Sequence, residues 1–440
     1  MMDKELLFGR MITCPKIQKT DEEYQRTASF IKGVCQRCGQ NQRTSLPRNQ
    51  FYCQACLILG RVSSLDDLIF LPEPNNFDGQ VELVWPGTLT KQQVQVSKDL
   101  VKSMEQGRNH LVWAVTGAGK TEMLFPLLLK AFQQKKRVAL VSPRVDVIVE
   151  LAPRLAAAFS NLSQVVLHGK QTTPYGYTQL VLATTHQLLR FKEAFDLLVI
   201  DEVDSFPFRG NPMLQYAVQT AQKGTSMIAY LTATPTPDLK TAVKRGNLRV
   251  SYLPLRFHQQ LLPKLQIKRV NDWRLKMPKL LKKQIEVFIE EQRQFLIFVP
   301  YVSDLIIVER YLQDYTQLKG TTVHANDPNR IEKVQQMRQK NIQFLITTTI
   351  LERGVTLPGI DVLILGADET TFSENALVQI AGRVGRSHER PTGLVLAVVK
   401  QVNLSVFRAQ KQINAMNQRG CQLKKKFGVK DELSPLSAKD

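Results

Sequence analysis

Eight consecutive residues, Ala114-Val-Thr-Gly-Ala-Gly-Lys-Thr121, could perform the most specific chemistry in this chain. Gly117 and Gly119 let the backbone turn tightly and aim its N–H groups inward. With the N-terminus of the helix that follows, they make a cradle for a polyphosphate. Lys120 reaches toward β and γ phosphates, and the Thr121 hydroxyl offers a ligand to Mg²⁺; Thr116 and Ala118 complete the loop. Ala114 replaces the first glycine of the usual pattern without changing any reacting atom. A second group, Asp201-Glu202-Val203-Asp204, supplies acids: Asp201 to hold Mg²⁺ through water, Glu202 to orient and deprotonate an attacking water. A third, Gln379-Ile-Ala-Gly-Arg383-Val-Gly-Arg386, carries two arginines three apart at a predicted helix end. One guanidinium there can face a γ-phosphate, and Gly382 and Gly385 permit close backbone approach. Gln379 lies one helical turn before Arg383, and the stretch Ile350 to Pro358 precedes the group with Gly354 as a further nucleotide contact.

Four cysteines form a separate constellation. Cys35-Gln-Arg-Cys38 and Cys53-Gln-Ala-Cys56 are two knuckles that can place thiolates at the corners of a tetrahedron, the geometry Zn²⁺ prefers. Two local disulfides are the poorer alternative, because a Cys-x-x-Cys bridge closes a small strained ring and a cytosolic chain is kept reduced. All four positions are filled by protein, so the zinc is expected to be structural. Arg37, Arg43, Arg48, Phe51 and Tyr52 decorate this ribbon, which therefore either touches nucleic acid by charge and stacking or is a structural clip. Cys14 and Cys421 are left over and are expected to be inert thiols.

The elements that must position these groups follow from periodicity. Short apolar runs at Leu111 to Val115, Arg137 to Val141, Val165 to Leu167, Leu180 to Ala183, Leu197 to Ile200 and Met227 to Leu231 alternate with helical stretches such as Lys120 to Gln134 and Val145 to Phe159. Such alternation predicts a parallel sheet covered by helices on both faces, with ligands gathered at the carboxyl ends of the strands. Ser142-Pro143-Arg144, His168-Gly169 and Thr184-Thr185-His186 follow strands and offer hydroxyls and a guanidinium to a phosphate backbone. Thr232-Ala233-Thr234 is expected to couple the nucleotide site to that face. The pattern restarts after a boundary near Leu253 to Pro263, with Phe295 to Val299, Gln343 to Thr347, Val362 to Leu365 and Leu394 to Val399 predicted as a second parallel sheet without a phosphate loop. Between the two, Lys264, Lys268, Arg269, Arg274, Lys276, Lys279, Lys282 and Lys283 surround Trp273. They form either a solvated face or a track for single-stranded nucleic acid with Trp273 as a stacking platform. The expected organisation is an N-terminal segment with the ribbon (1–61), a first lobe with an acidic, proline-containing connector (62–256), a second lobe (257–425) and a polar tail (426–440).

Composition narrows the class of partner. The 440 residues suit two or three domains, and 59 Lys and Arg against 39 Asp and Glu leave a net charge of +20. That balance fits a protein that meets phosphate backbones; an anionic membrane surface or a merely soluble basic surface would fit the same charge. No apolar run approaches the roughly 18 residues that span a bilayer, and the start lacks a hydrophobic signal core. A cytoplasmic or peripheral location is expected.

Taken in order, Ala-x-Thr-Gly-x-Gly-Lys-Thr, Asp-Glu-Val-Asp, Thr-Ala-Thr and Gln-x-x-Gly-Arg-x-Gly-Arg resemble the superfamily 2 helicase-type ATPases. With the cysteine ribbon ahead of the motor and Thr349-Ile-Leu-Glu-Arg-Gly-Val-Thr356, the chain closely resembles the late-competence ATPase family ComFA. The resemblance implies two tandem RecA-like lobes of α/β class with a small four-cysteine zinc ribbon, and ATP, Mg²⁺ and Zn²⁺ as cofactors. It places the adenine edge on Gln93 of Leu89-Thr-Lys-Gln-Gln93. It implies an ATP-driven, DNA-stimulated motor on incoming single-stranded DNA, peripheral to the inner face of the membrane, working with a ComFC-like competence protein at the membrane DNA-uptake channel, and leaves an oligomer open. Duplex unwinding in replication or repair, as in the PriA helicases, and a DNA-binding scaffold that does not hydrolyse ATP are the alternatives. PriA differs in carrying its cysteines in the C-terminal half.

Overall fold

The structure, a computed structural model, describes residues 3–18, 23–169, 174–354 and 357–428. The last two residues of the Thr349 to Thr356 element and the tail from 429 lie outside the described residues. The chain divides into two compact units, 1–113 with 120–252, and 114–119 with 253–440. Each is described by itself.

The first unit is built on a seven-stranded sheet. Its strands in chain order are β1 (His110–Ala114), β2 (Val138–Ser142), β3 (Gln164–Leu167), β4 (Leu180–Thr184), β5 (Phe195–Asp201), β6 (Gln222–Thr232) and β7 (Arg249–Leu253), arranged β3-β4-β2-β5-β6-β1-β7. Neighbours from β3 through β1 run parallel. Val138 to Val141 and Leu197 to Ile200 are at most 1% exposed, because helices cover both faces and a continuous apolar run is what such a strand needs. β5 occupies the middle of the sheet, so the acids that follow it emerge at its carboxyl edge.

Residues before the sheet are built into this unit. Asp66–Phe70 pairs antiparallel with Ile12–Pro15 on one side and Gln25–Ala28 on the other. The cysteine ribbon between them consists of two short hairpins, Phe30–Ile31 with Val34–Cys35 and Arg43–Leu46 with Gln50–Cys53. It packs onto the helix Pro212–Ala221: Tyr216 donates to the Gln36 carbonyl at 3.1 Å, and a Cβ at Gly39 would lie 2.7 Å from the Tyr216 ring, so this turn at φ 69° requires glycine. The acidic connector is tied down by a fully buried ion pair. Arg137 meets Glu73 at 2.6 Å and also donates to the Phe8 and Thr178 carbonyls and the Tyr175 hydroxyl. A buried charge is tolerated when every donor is satisfied in this way.

The second unit holds a six-stranded, wholly parallel sheet: β8 (Leu265–Arg269), β9 (Phe295–Phe298), β10 (Gly320–Val323), β11 (Phe344–Thr347), β12 (Asp361–Leu365) and β13 (Val395–Val399), in the order β8-β13-β12-β9-β11-β10. One expectation fails here. Trp273 is 5% exposed and packs with Met277, Leu281 and Ile285 in the core, so it offers no face to a base. The indole was drawn inward because its apolar area outweighs the basic context of its neighbours. Arg274 covers its ring instead, at 4.6 Å, while binding Asp304 through two bonds of 2.7 and 3.0 Å.

Candidate nucleotide and metal sites

In the first unit, helix Lys120–Gln133 begins with the lysine of the glycine loop, and β5 delivers Asp201 to it. Lys120 Nζ lies 2.9 Å from Asp201 Oδ1, which also accepts the Glu202 backbone N–H at 2.9 Å. Burial alone would lower the Lys120 pKa. The carboxylates of Asp201, Glu202 and Asp204 outweigh it, and the ammonium is held above its usual range. Glu202 adopts φ 53°, a conformation disfavoured for a side chain with a Cβ and observed here beside the acids. Its Oε2 accepts from Ser205 Oγ at 3.1 Å and lies 4.0 Å from Arg144 Nε. Asp204 is buried at 4% exposure and takes both threonine hydroxyls of Thr232-Ala-Thr234, each at 2.5 Å. Thr121 lies in the first turn of the helix, partly exposed.

The structure gives Gln93 a local duty. It is the third residue of helix Lys91–Glu105, where its side-chain oxygen accepts the Thr90 N–H at 2.8 Å in a capping box, and it is 4% exposed.

The second unit brings together the other half of the candidate residues. Gly117 and Gly119 have φ of 77° and 71°, the conformation the cradle requires, while Thr116 and Ala118 are buried. Helix Glu374–Ala381 carries Gln379, 7% exposed, and stops just before the loop Gly382 to Arg386. Arg383 Nε donates to the Glu352 carbonyl at 3.0 Å and Arg386 Nε to the Gly382 carbonyl at 3.0 Å. Thr116 Oγ1 donates to the same Gly382 oxygen at 3.2 Å. Gly354 is exposed with φ 76°. Two residues outside every motif also reach this loop: Arg256 donates to the Gly385 and Gly382 carbonyls, and His258 Nε2 lies 3.1 Å from the Gly385 oxygen. The only sequence signal for them is their position just beyond the first sheet.

The cysteine cluster fits a tetrahedral zinc. All four sulfurs lie within 4.8 Å of one another, with Cys35 to Cys56 at 3.8 Å and Cys38 to Cys53 at 3.5 Å. Zinc–sulfur bonds of about 2.3 Å in a tetrahedron imply sulfur separations of about 3.8 Å. Left to themselves the thiols cannot ionise together: hydrogen bonds, that from Cys35 first, hold Cys53 far below its ordinary range, and the bond to Cys35 first among others holds Cys56 far above it. A divalent cation relieves that conflict. For Arg37 the structural alternative holds. The residue is 6% exposed and spends its guanidinium on the Leu59 and Gly60 carbonyls at 2.7 and 3.1 Å, clamping the second knuckle instead of facing nucleic acid. Arg43 and Phe51 stack on each other, 5.1 Å apart. Cys14 is buried and Cys421 exposed.

The chain is similar to known proteins in both sequence and fold. Residues 87–237 match the model of the type III restriction enzyme res subunit, and residues 276–388 that of the helicase conserved C-terminal domain. A solved structure of Saccharomyces cerevisiae Dbp5 bound to RNA and ADP BeF3 shares the fold, with TM-score 0.51 at 14% identity over 74% of this chain and 91% of that one. Fold and domain matches together define a superfamily 2 helicase-like protein of two RecA-like parallel-sheet lobes. The competence protein ComFA of Bacillus subtilis is 40% identical over 398 residues, 87% of this chain and 85% of that protein, and ComFA of Streptococcus pneumoniae is 40% identical over 429 residues, 93% and 97%. The chain belongs to the ComFA family of competence proteins. Among the described residues no helix is long and apolar enough to cross a membrane.

Proposed function

We propose that this chain is a DNA-stimulated ATPase that moves along single-stranded DNA and drives uptake of transforming DNA during natural competence. The observation that carries the reading is the convergence of Lys120, Asp201 and Glu202 at one strand end, with Asp204 tying them to Thr232 and Thr234. In this reading Gly117, Ala118, Gly119 and Thr116 cradle the phosphates of ATP, Lys120 exchanges Asp201 for the β and γ phosphates, and Gln93 meets the adenine edge. Thr121 and Asp201 hold Mg²⁺, whose chemistry is to neutralise charge on the phosphate oxygens. Glu202 takes the proton of the attacking water. Arg383 and Arg386 face the γ-phosphate in the transition state, with Gln379 and Gly354 lining the approach. Nucleotide-dependent closure and reopening of the two lobes then becomes movement along the strand. The four cysteines bind one structural Zn²⁺.

A net charge of +20 supports a phosphate-backbone track, and family membership supports a role beside a ComFC-like protein at the cytoplasmic face of the membrane channel, with the chain peripheral to the membrane. The proposed modules are residues 1–61, 62–256, 257–425 and 426–440. ATP turnover titrated with single-stranded DNA, duplex DNA and RNA tests the reading. Turnover is expected to rise with single-stranded DNA and to fall by about a hundredfold or more in Glu202→Gln. Undiminished turnover in that variant, or none in the natural chain, would refute it. Strand displacement without translocation would favour a duplex-unwinding helicase instead.

A further inference from the structure

Arg256 is one of two arginines among the fully buried large side chains of the described residues, and the other, Arg137, has a carboxylate partner. Arg256 is 0% exposed, and no carboxylate among the described residues pairs with it. Burial, aided by the nearby charge of Arg386, lowers its pKa to about 9, which still leaves the guanidinium protonated at neutral pH. An unpaired buried cation is costly and is retained only where its donors satisfy something that would otherwise be worse.

What it satisfies is the arginine loop. Its Nη1 donates to the Gly385 carbonyl and its Nη2 to the Gly382 carbonyl at 3.4 Å, so one planar fork spans the residues that bracket Arg383. These carbonyls follow helix Glu374–Ala381 and have no further turn to accept from. The Gly382 oxygen is also crowded: Thr116 Oγ1 at 3.2 Å, Arg386 Nε at 3.0 Å and Arg256 Nη2 at 3.4 Å all point to it, while a carbonyl has two lone pairs. One donor can therefore depart without orphaning the acceptor. The residue next in sequence to Arg256 binds the other loop of this unit, since the Phe257 N–H donates to the Gly117 carbonyl at 2.9 Å.

We infer that Arg256 is a positioning residue for the arginine loop: it holds the Gly382 and Gly385 carbonyls so that Arg386 exchanges Gly382 for a phosphate oxygen while Arg383 stays in register. The inference rests on the ATP-hydrolysing reading above. Arg256 itself touches no phosphate. Its effect belongs to the transition state, where the arginine contacts strengthen, and not to ground-state nucleotide binding.

The test uses the full chain and two probes, Mg-ADP and Mg-ADP with aluminium fluoride. Arg256→Lys keeps the charge but cannot fork across two carbonyls. It is expected to bind Mg-ADP within about twofold of the natural chain and the fluoride complex about tenfold or more weakly, with kcat falling and KM unchanged. In an Arg386→Lys background the same substitution is expected to cost less than about twofold further, because residues acting as a unit are non-additive. His258→Ala, which removes the second side chain on the Gly385 oxygen, is expected to give a smaller loss of the same kind and serves if Arg256→Lys does not fold. Equal weakening of both probes, no weakening of either, or additivity with Arg386→Lys would overturn the inference. A natural chain that neither hydrolyses ATP nor prefers the fluoride complex would overturn the hydrolase reading and this inference with it.

Discussion

Replacing Asp204 tests whether the acid strand end and Thr232-Ala-Thr234 form one mechanical piece. Each Asp204 carboxylate oxygen accepts one threonine hydroxyl at 2.5 Å, and Thr232 Oγ1 in turn accepts the Thr234 N–H at 2.9 Å. Hydrogen bonds to a charged group contribute about 1.5–3 kcal/mol each, neutral ones about 0.5–1.5. Asp204→Asn keeps the shape and lets one hydroxyl rotate to accept from the amide, so both bonds persist without charge. The expected loss is about 2 kcal/mol in total. Asp204→Ala deletes both bonds and leaves two buried hydroxyls, for a loss of about 4 kcal/mol. Urea unfolding of the full chain, followed through the transition of the first unit, reads these differences as shifts in midpoint. The functional consequence is separate. Asp204→Asn leaves Lys120, Asp201 and Glu202 in place, so basal ATP turnover is expected within about threefold of the natural chain, while stimulation by single-stranded DNA falls about tenfold. Both variants unfolding within about 0.5 kcal/mol of the natural chain, with stimulation intact, would refute the coupling.

Three further outcomes follow from particular environments. His110 sits between the hydroxyls of Ser103 at 2.8 Å and Ser251 at 3.0 Å, and burial, opposed by Asp99 and aided by Arg249, lowers its pKa to about 4. Because the unfolded chain takes up this proton near pH 6.5 and the folded chain only near 4, the contribution is complete above pH 6.5 and is lost as pH falls toward 4, by about 1.4 kcal/mol per pH unit; His110→Gln should flatten that slope in unfolding titrations from pH 7 to 4. Purified protein is expected to carry one zinc per chain by metal analysis. Because the cysteines share a core with Leu214, Ala217 and Val218, chelation or Cys38→Ser should lower the melting temperature of the first unit by about 6 °C or more, which unchanged melting would contradict. Trp273→Ala should destabilise the second unit by about 3–5 kcal/mol, and single-stranded DNA affinity per folded molecule should hold within about twofold; a selective loss of affinity would restore the stacking role.

Much of the architecture was legible because its central strands are continuous apolar runs. The expected segments at Arg137 to Val141, Leu180 to Ala183 and Leu197 to Ile200 fall on β2, β4 and β5, and those at Phe295, Gln343, Val362 and Leu394 on β9, β11, β12 and β13. In the two large sheets the strands that escaped notice are at the edges. β7, β8 and β10 each have one neighbour and none is a fully buried apolar run; β8 reads Leu-Gln-Ile-Lys-Arg with Gln266, Lys268 and Arg269 exposed, a pattern that merges with the surrounding basic run. The outer strands Ile12–Pro15 and Gln25–Ala28 are short and half-exposed, carry no motif, and gain meaning only from Asp66–Phe70 between them.

The glycine loop, the paired acids, the two cysteine knuckles and the arginine pair were determined by sequence alone, because each is contiguous and its chemistry depends on residue type at fixed short spacing. Only the folded chain decided which distant groups meet. Asp204 finds Thr232 and Thr234 across two adjacent strand ends, Tyr216 receives Gly39, and Arg256 reaches carbonyls more than a hundred residues away. It also decided that Trp273 and Arg37 turn inward. Burial and hydrogen-bond satisfaction are properties of the whole packed unit, and a local pattern of charge and aromaticity does not contain them.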